Sequence, residues 1–265
     1  MASPIPVGPG ERTLRVGKHK LRVFTYKPAR YRGGPLLVVF HGMKRNAGDY
    51  RDFAISIADR FGMVVAAPKF DLKTYPIGRY QRGGIVSRSG LLPRARWTTT
   101  AALALVDALR RDEGKPKLDF HLLGHSAGGQ IVGRLAAFSP NKAKRIIVAN
   151  PSSWVFPDLD VPFPHGFGGR TASLASPAAL KRFLALPIVV YLGTADVGRS
   201  SLENTRGARA QGRSRYERGR NFFKAGRALA KKKGWPIGWR LVTVPGVGHS
   251  GELMFASARI KQALF

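Results

Sequence analysis

Short, unbroken apolar runs alternate along this chain with segments whose apolar residues recur at helical spacing. Leu36–Phe40 reads Leu-Leu-Val-Val-Phe and is stopped by His41-Gly42, the pattern of a central strand buried on both faces. Met63–Ala67, ended by Pro68, is the next strand, and Leu118–Leu123, Arg145–Ala149, Pro187–Leu192 and Trp239–Val244 follow. Thr13–Val16 and Leu21–Tyr26, joined by a Gly17-Lys18-His19-Lys20 turn, predict an antiparallel start to the sheet. Helices are predicted over Asn46–Phe61, with Phe53, Ile57 and Phe61 on one face, and over Thr98–Arg111, carrying Leu103, Leu105, Val106 and Leu109. Another runs on from Ile131 through Val132, Leu135, Ala136 and Phe138, and others span Ala178–Leu186, Arg218–Lys233 and Gly251–Phe265.

Three segments carry no period. Arg79–Arg96 is rich in Gly and Arg and reads as a loop; residues 152–170 are dense in Pro, Gly and aromatics. Ser200–Arg215 is polar and basic and reads as mobile. Strands alternating with helices predict an α/β fold: a mainly parallel central sheet of about eight strands, covered on both faces by right-handed crossovers. No repeat or linker divides the chain, so residues 1–265 are expected to form a single domain with an aromatic, Pro-rich insertion at 152–170.

One junction in this pattern carries chemistry. The Leu118–Leu123 strand runs directly into Gly124-His125-Ser126-Ala127-Gly128, and a helix follows. Strand, G-x-S-x-G, helix is the context of a nucleophile elbow. A serine on so sharp a turn needs small neighbours where backbones cross, and Gly124, Gly128 and Gly129 supply that room. The following helix aims its free N–H groups at charge developing beside Ser126.

Composition narrows the setting. With 44% hydrophobic residues the chain has enough for a substantial core, and no apolar run approaches a membrane span. The opening, Met1-Ala2-Ser3-Pro4-Ile5-Pro6, has no apolar signal core. It is compatible with a cytoplasmic start or with the mature end of a secreted or periplasmic chain. The absence of cysteine excludes disulfides, a thiol nucleophile and Cys-based metal sites. No phosphate loop is present either, and no cofactor and no metal are expected. The charge is unusual: 45 Lys+Arg against 15 Asp+Glu gives +30. Such a surface associates non-specifically with polyanions, but no zinc-finger spacing, zipper or aromatic RNA-binding signature accompanies it, so no specific nucleic-acid partner is expected.

Four stretches together resemble the α/β-hydrolase superfamily, and within it esterases of the poly(3-hydroxybutyrate) depolymerase-like and feruloyl-esterase-like kinds. They are Phe40-His41-Gly42-Met43, the elbow at 124–128, Leu192-Gly193-Thr194-Ala195-Asp196 and Gly246-Val247-Gly248-His249. The resemblance runs from about Leu36 to the C-terminus and is more specific for the superfamily than for either kind of esterase. It implies chain order Ser, acid, His.

A serine hydroxyl needs a base, and a histidine base needs an orienting acid. Of six histidines (His19, His41, His121, His125, His165 and His249) only His165 and His249 lie downstream of Ser126. His249 follows the last strand among glycines that permit a tight loop, which makes it the expected base. His165, in the aromatic insertion with no strand to place it, is left as a substrate-side or surface residue. Among Asp158, Asp160, Asp196, Glu203 and Glu217, Asp196 leaves a strand into a turn and occupies the position the resemblance gives the acid; its plain alternative is a turn-capping Asp. One oxyanion donor is expected to be the Ala127 N–H. By resemblance the other is Met43, with Lys44 the alternative if the loop register differs by one. His41 is expected to have a structural role, and His125 to pack beside the serine.

Trp154 and Phe156 are the expected substrate-binding residues, with Phe163, Phe167 and Met43 also able to line a pocket, although aromatics between Pro and Gly equally pack a loop onto itself. Tyr75, Tyr80 and the arginines of 79–96 are candidates for the opposite wall. The expectation is therefore a serine hydrolase of short-chain, hydroxyalkanoate or feruloyl-type carboxylic esters, small or oligomeric. Two rivals stand beside it: a hydrolase-fold protein binding anionic polymers with an idle triad, and a peptidase or acyltransferase using the same triad.

Overall fold

The computed structural model describes residues 3–17 and 19–265. The predicted Gly17–Lys20 turn includes Lys18, which lies outside the described residues, as do Met1 and Ala2 of the opening segment. The strands are β1 Gly8–Val16, β2 His19–Lys27, β3 Leu36–Phe40, β4 Val64–Lys69, β5 Val86–Ser87, β6 Gly90–Leu91, β7 Phe120–His125, β8 Arg145–Ala149, β9 Ile188–Gly193 and β10 Arg240–Val244. The helices are α1 Ala47–Phe53, α2 Ile55–Phe61, α3 Thr98–Asp112, α4 Ala127–Phe138, α5 Pro177–Ala185, α6 Arg206–Ala210, α7 Arg215–Lys233, α8 Gly251–Ala256 and α9 Ile260–Leu264. Eight strands form one sheet in the order β1-β2-β4-β3-β7-β8-β9-β10, while β5 and β6 make a separate hairpin. From β4 to β10 every neighbouring pair is parallel; β2 alone runs against the rest, pairing antiparallel with β1 and β4.

The apolar runs make sense in this arrangement because both faces of the sheet are covered. Leu36, Val38 and Phe40 of β3 face one apolar cluster with α3, α4, α5 and α7, whereas Leu37 and Val39 face a second with α1, α2, α8 and α9. Chain order leaves β3 toward β4 in one direction and β7 toward β8 in the other. The carboxyl ends of β3 and β7 therefore flank a switch point, where open α/β sheets form their clefts.

Several predicted boundaries move. The helix expected over Asn46–Phe61 is two helices broken at Ala54, and the closing helix is likewise split into α8 and α9. Pro68 lies inside β4 rather than ending it. Pairing with β3 stops at Ala66, and the N–H of Phe70, two residues beyond Pro68, points to that side, onto His41 Nε2 at 3.0 Å. The missing proline N–H thus falls where no β3 partner remains. The 79–96 loop contains the β5–β6 hairpin and a 3₁₀ turn at Arg94–Arg96. Ser200–Arg215 is not a loose polar segment: it contains α6 and buries Ala208, Gln211, Ser214 and Arg215. Among the described residues no helix is long and apolar enough to cross a membrane.

Candidate active site

β7 ends in His125, and α4 begins one residue after Ser126. Between them Ser126 takes φ 57° and ψ −118°, a strained backbone for a residue with a side chain. The turn is held from both sides: the Ser126 N–H donates to Ala149 O at 2.9 Å on β8, and Ser126 O accepts from Gln130 N at 3.1 Å. Its tightness dictates the glycines. A Cβ at Gly124 would lie 2.2 Å from Gly128 O, and one at Gly128 would lie 2.0 Å from Phe40 O. Ser126 therefore stands at the N-terminus of a twelve-residue helix, above the end of β3.

Two further loops reach the same point. After β9 the chain turns through Thr194-Ala195, whose N–H groups bond to Val244 O and Val247 O at 3.0 Å each, fixing Asp196 with its side chain 1% exposed. After β10, Gly246-Val247-Gly248 folds back against Gly193, where a Cβ would come within 2.3 Å of Val247 O, and delivers His249. Asp196 Oδ2 lies 2.7 Å from His249 Nδ1, and His249 Nε2 lies 3.0 Å from Ser126 Oγ. A carboxylate at Nδ1 holds the proton there, so the free pair of Nε2 faces the serine hydroxyl. Asp196 also has a cation beside it: Arg215 Nη1 lies 3.5 Å from its other oxygen and is itself 2% exposed, with Nη2 donating to Ser200 O at 2.8 Å.

Met43 and Ala127 border the space in front of Ser126, in a cleft of about 320 Å³ completed by Ile77, Gln81, Arg82, Gln130 and Glu203. On its other side a smaller cleft of about 250 Å³ runs past Lys44, Tyr50 and His249. A volume of a few hundred cubic ångströms suits a small acyl group.

Two solved structures are similar to this chain in both sequence and shape. A poly(3-hydroxybutyrate) depolymerase, LpqC from Bordetella parapertussis, is 31% identical over 96% of this chain and 89% of its own, with a TM-score of 0.88. Poly(aspartic acid) hydrolase-1 from Sphingomonas sp. KT-1 is 30% identical over 98% of this chain and 100% of its own, with a TM-score of 0.92. The chain is an α/β-hydrolase. A siderophore hydrolase, EstB from Aspergillus nidulans, shares the fold at 16% identity and a TM-score of 0.56, over 99% of this chain and 96% of its own. No family model and no curated protein sequence matches the chain.

In this α/β-hydrolase the insertion reaches the cleft through Ser152, but its aromatic rings line neither cleft beside Ser126. Trp154 is 2% exposed and stacks on Phe222 at 4.4 Å, which in turn stacks on Trp239 at 4.3 Å. Phe156 meets Phe222 edge-on and borders a separate hollow beside α7. Both expectations are corrected: Trp154 is a core residue and Phe156 is half-buried against α7, because the insertion folds down onto that helix and away from Ser126. Phe163 and Phe167 pack on Phe138 instead. Trp154→Ala should accordingly lower the unfolding free energy by about 3–5 kcal/mol, read from urea denaturation. Tyr75 and Tyr80 are buried too and form no cleft wall; Gln81 and Arg82 of the same loop do.

The remaining histidines have local tasks. Burial pushes His41 down to about 4, and as a neutral ring it bridges Gly42 O at 2.9 Å and the Phe70 N–H at 3.0 Å. His125 is held well below its ordinary range by burial, takes a hydrogen bond with Tyr50 Oη at 2.9 Å and lies 4.8 Å, ring to ring, from His249. His165 is buried rather than on the surface; burial pushes it down to about 4, and its Nε2 meets Thr205 Oγ1 at 3.1 Å. Residue-by-residue reading overlooked Arg215 and Tyr50. For Arg215 a signal existed: Ser214-x-x-Glu217 is a capping box, with Ser214 Oγ accepting the Glu217 N–H at 3.2 Å, and it starts α7 at Arg215 rather than Arg218. Tyr50 carries no comparable sequence signal.

Proposed function

We propose that this α/β-hydrolase is a serine hydrolase of carboxylic esters, with Ser126 as nucleophile, His249 as base and Asp196 as the orienting acid. The observation that carries the reading is the continuous contact from Asp196 through His249 to Ser126 Oγ, at 2.7 and 3.0 Å. Ser126 Oγ attacks the ester carbonyl carbon while its proton passes to His249 Nε2. The imidazolium so formed is paired with Asp196. The N–H groups of Ala127, at the start of α4, and of Met43, after β3, receive the charge on the carbonyl oxygen. Collapse returns the proton from His249 to the departing alcohol and leaves an acyl-enzyme. Water, deprotonated by the same histidine, then releases the acid and restores Ser126. No step needs a cofactor, and residues 1–265 are taken to act as one domain.

The substrate reading is a short-chain or hydroxyalkanoate ester, with a feruloyl-type ester second; the hydroxyalkanoate choice leans on the similarity to the Bordetella depolymerase. A second reading has a specific observation behind it. The net charge of +30 and the similarity to poly(aspartic acid) hydrolase-1 favour an amide or ester bond within an anionic polymer, cut by the same triad.

The test pairs labelling with turnover. A fluorophosphonate should modify the protein once, on the peptide containing Ser126, and 4-nitrophenyl esters from acetyl to octanoyl should be hydrolysed with a preference for the shorter chains. Labelling without ester turnover would keep the nucleophile and move the substrate to the second reading. A chain that neither labels nor turns over any ester would sink the proposal.

A further inference from the structure

The cleft beside Ser126 is more polar than an acyl pocket requires. Arg82, Gln81, Gln130, Glu203 and Thr205 line it together with Met43 and Ile77. Most of these polar groups already have partners. Glu203 accepts from Ser153 Oγ at 2.7 Å, Gln130 Nε2 at 3.1 Å and Thr205 Oγ1 at 3.2 Å. Burial works against its ionised form, but the Ser153 hydroxyl with Arg134, His165 and Arg82 outweighs this and holds its carboxyl below the usual range. Arg134 is enclosed and its two NH₂ groups donate to Gln130 O, Ser153 and Pro164 O, while its Nε, also enclosed, has no partner and does not line the cleft. Arg218 is likewise enclosed, bonded to Ser152 O, Glu203 O and Gly212 O.

Two groups are left over. The Arg82 guanidinium donates no hydrogen bond among the described residues; its nearest anion, Glu203 Oε1, is 4.0 Å away, and its side chain is 40% exposed. Gln81 is 9% exposed, and its Oε1 is shut away with no partner. With its oxygen enclosed, the Nε2 end, which is not, is the one Gln81 offers to a ligand in the cleft. The charge count agrees. Three guanidinium groups, those of Arg82, Arg134 and Arg218, surround one carboxylate, Glu203, and His165 is neutral after burial lowers it to about 4.

The backbone beneath Arg82 is also held still. Arg82 N bonds to Ile77 O at 3.1 Å, and the next residue, Gly83, has φ 73° and accepts the Thr98 N–H at 2.9 Å at the start of α3. A fixed backbone leaves only the Arg82 side chain to be ordered by a ligand, which limits the entropy lost on binding.

We propose that Arg82 and Gln81 form a carboxylate subsite for the substrate, so that the acyl groups this chain favours carry an anionic group a few bonds from the scissile carbonyl. The inference rests on Ser126 being the nucleophile of the cleft. It assigns a chemical class, the half-ester or half-amide of a dicarboxylic acid, that neither hydroxyalkanoate nor feruloyl esters represent. Arg supplies a planar fork matched to a carboxylate, and Gln81 adds a third donor.

The experiment compares two esters of one length, mono-4-nitrophenyl adipate and 4-nitrophenyl hexanoate, in buffer of fixed salt. The parent should show the higher kcat/KM for the adipate ester. Arg82→Gln should reduce that preference by roughly tenfold to a hundredfold, the range of one charge-assisted hydrogen bond, chiefly through KM. Arg82→Lys should retain part of it. Arg88→Gln, on the exposed tip of the same loop, controls for bulk charge and should leave the preference where it was. A preference that survives Arg82→Gln, or falls equally in Arg88→Gln, overturns the subsite. In parallel, binding of adipate itself is followed by protein NMR on the parent and Arg82→Gln. Adipate binding that depends on Arg82, in a protein inert to both esters, would uphold the subsite and remove the ester-hydrolase reading. Hexanoate turnover with no Arg82-dependent adipate binding would do the reverse.

Discussion

Ser126→Ala is expected to lower kcat/KM for a short-chain nitrophenyl ester by roughly 10⁵- to 10⁶-fold, with the protein otherwise folded as before. The expectation follows from how the three side chains act. Ser126 Oγ is the only group of the proposed set that forms a bond to substrate, while His249 at 3.0 Å only moves its proton. Removing either member disables the same step, so His249→Ala should fall about as far and the double variant no further. Asp196→Asn should cost about 10⁴-fold, because an amide NH₂ presented to Nδ1 favours the wrong tautomer of His249. Here Arg215 adds its own consequence. Its guanidinium lies 3.5 Å from Asp196 Oδ1 in a site closed to solvent, so Asp196→Asn also leaves a buried cation without its anion. That variant should therefore lose stability as well as rate, a loss that Ser126→Ala does not share. Rates are read against phosphonate-titrated sites for the parent and against protein mass for the variants. A Ser126→Ala protein retaining more than a hundredth of the parent rate would place the nucleophile elsewhere.

The parts of the fold that were legible in the sequence are those whose cause is local. Leu36–Phe40 can be read as a doubly buried strand because five consecutive apolar residues have no other economical place, and its ends match the structure. The elbow can be read because the turn crowds itself: a Cβ at Gly124 would strike the backbone of Gly128 and Gly129, within five residues along the chain. What lay beyond the sequence depends on partners far along the chain. Nothing in Asn46–Phe61 marks the break at Ala54 between the two short helices. The rings of Trp154 and Phe156 could have faced a ligand or α7, and only the packing on Phe222 decides. In the sequence Arg215 ends a stretch that reads as polar, basic and mobile, and Arg218 opens the helix expected after it. They are buried because backbone carbonyls at 200, 203 and 152 are brought to them, and composition does not record where carbonyls point. The cleft suffers from the same limit: Arg82 stood among many arginines in the 79–96 loop, and its freedom from partners is a property of the folded loop alone.

Gly128→Ala is expected to be the most damaging single methyl that can be added to this protein's elbow. The new Cβ would stand 2.0 Å from Phe40 O, 2.5 Å from Phe40 C and 2.8 Å from His41 O. All three are backbone atoms at the end of β3, so no rotamer change relieves the clash; either β3 or the first turn of α4 must move. The loss should exceed about 4 kcal/mol, the tail of the distribution for single substitutions. At roughly 2–4 °C per kcal/mol for a chain of this size, the melting temperature should fall by about 10 °C or more. Gly133→Ala, on the same helix, is the matched control. A Cβ there meets nothing within 4 Å, and replacing glycine in a helix interior should stabilise by about 0.5–1 kcal/mol. Differential scanning calorimetry of the two variants thus separates crowding from helix propensity, since both add one methyl to α4. The same clash bears on chemistry. The end of β3 leads directly into His41, Gly42 and Met43, so any shift that accommodates the methyl moves the Met43 N–H relative to Ser126. Whatever Gly128→Ala protein can be recovered folded should therefore lose kcat more than it raises KM, as expected when an oxyanion donor is misplaced. A Gly128→Ala protein with the parent's melting temperature would mean that β3 and α4 do not approach as closely as described, and the pairing of Met43 with Ala127 around the oxyanion would fall with that contact.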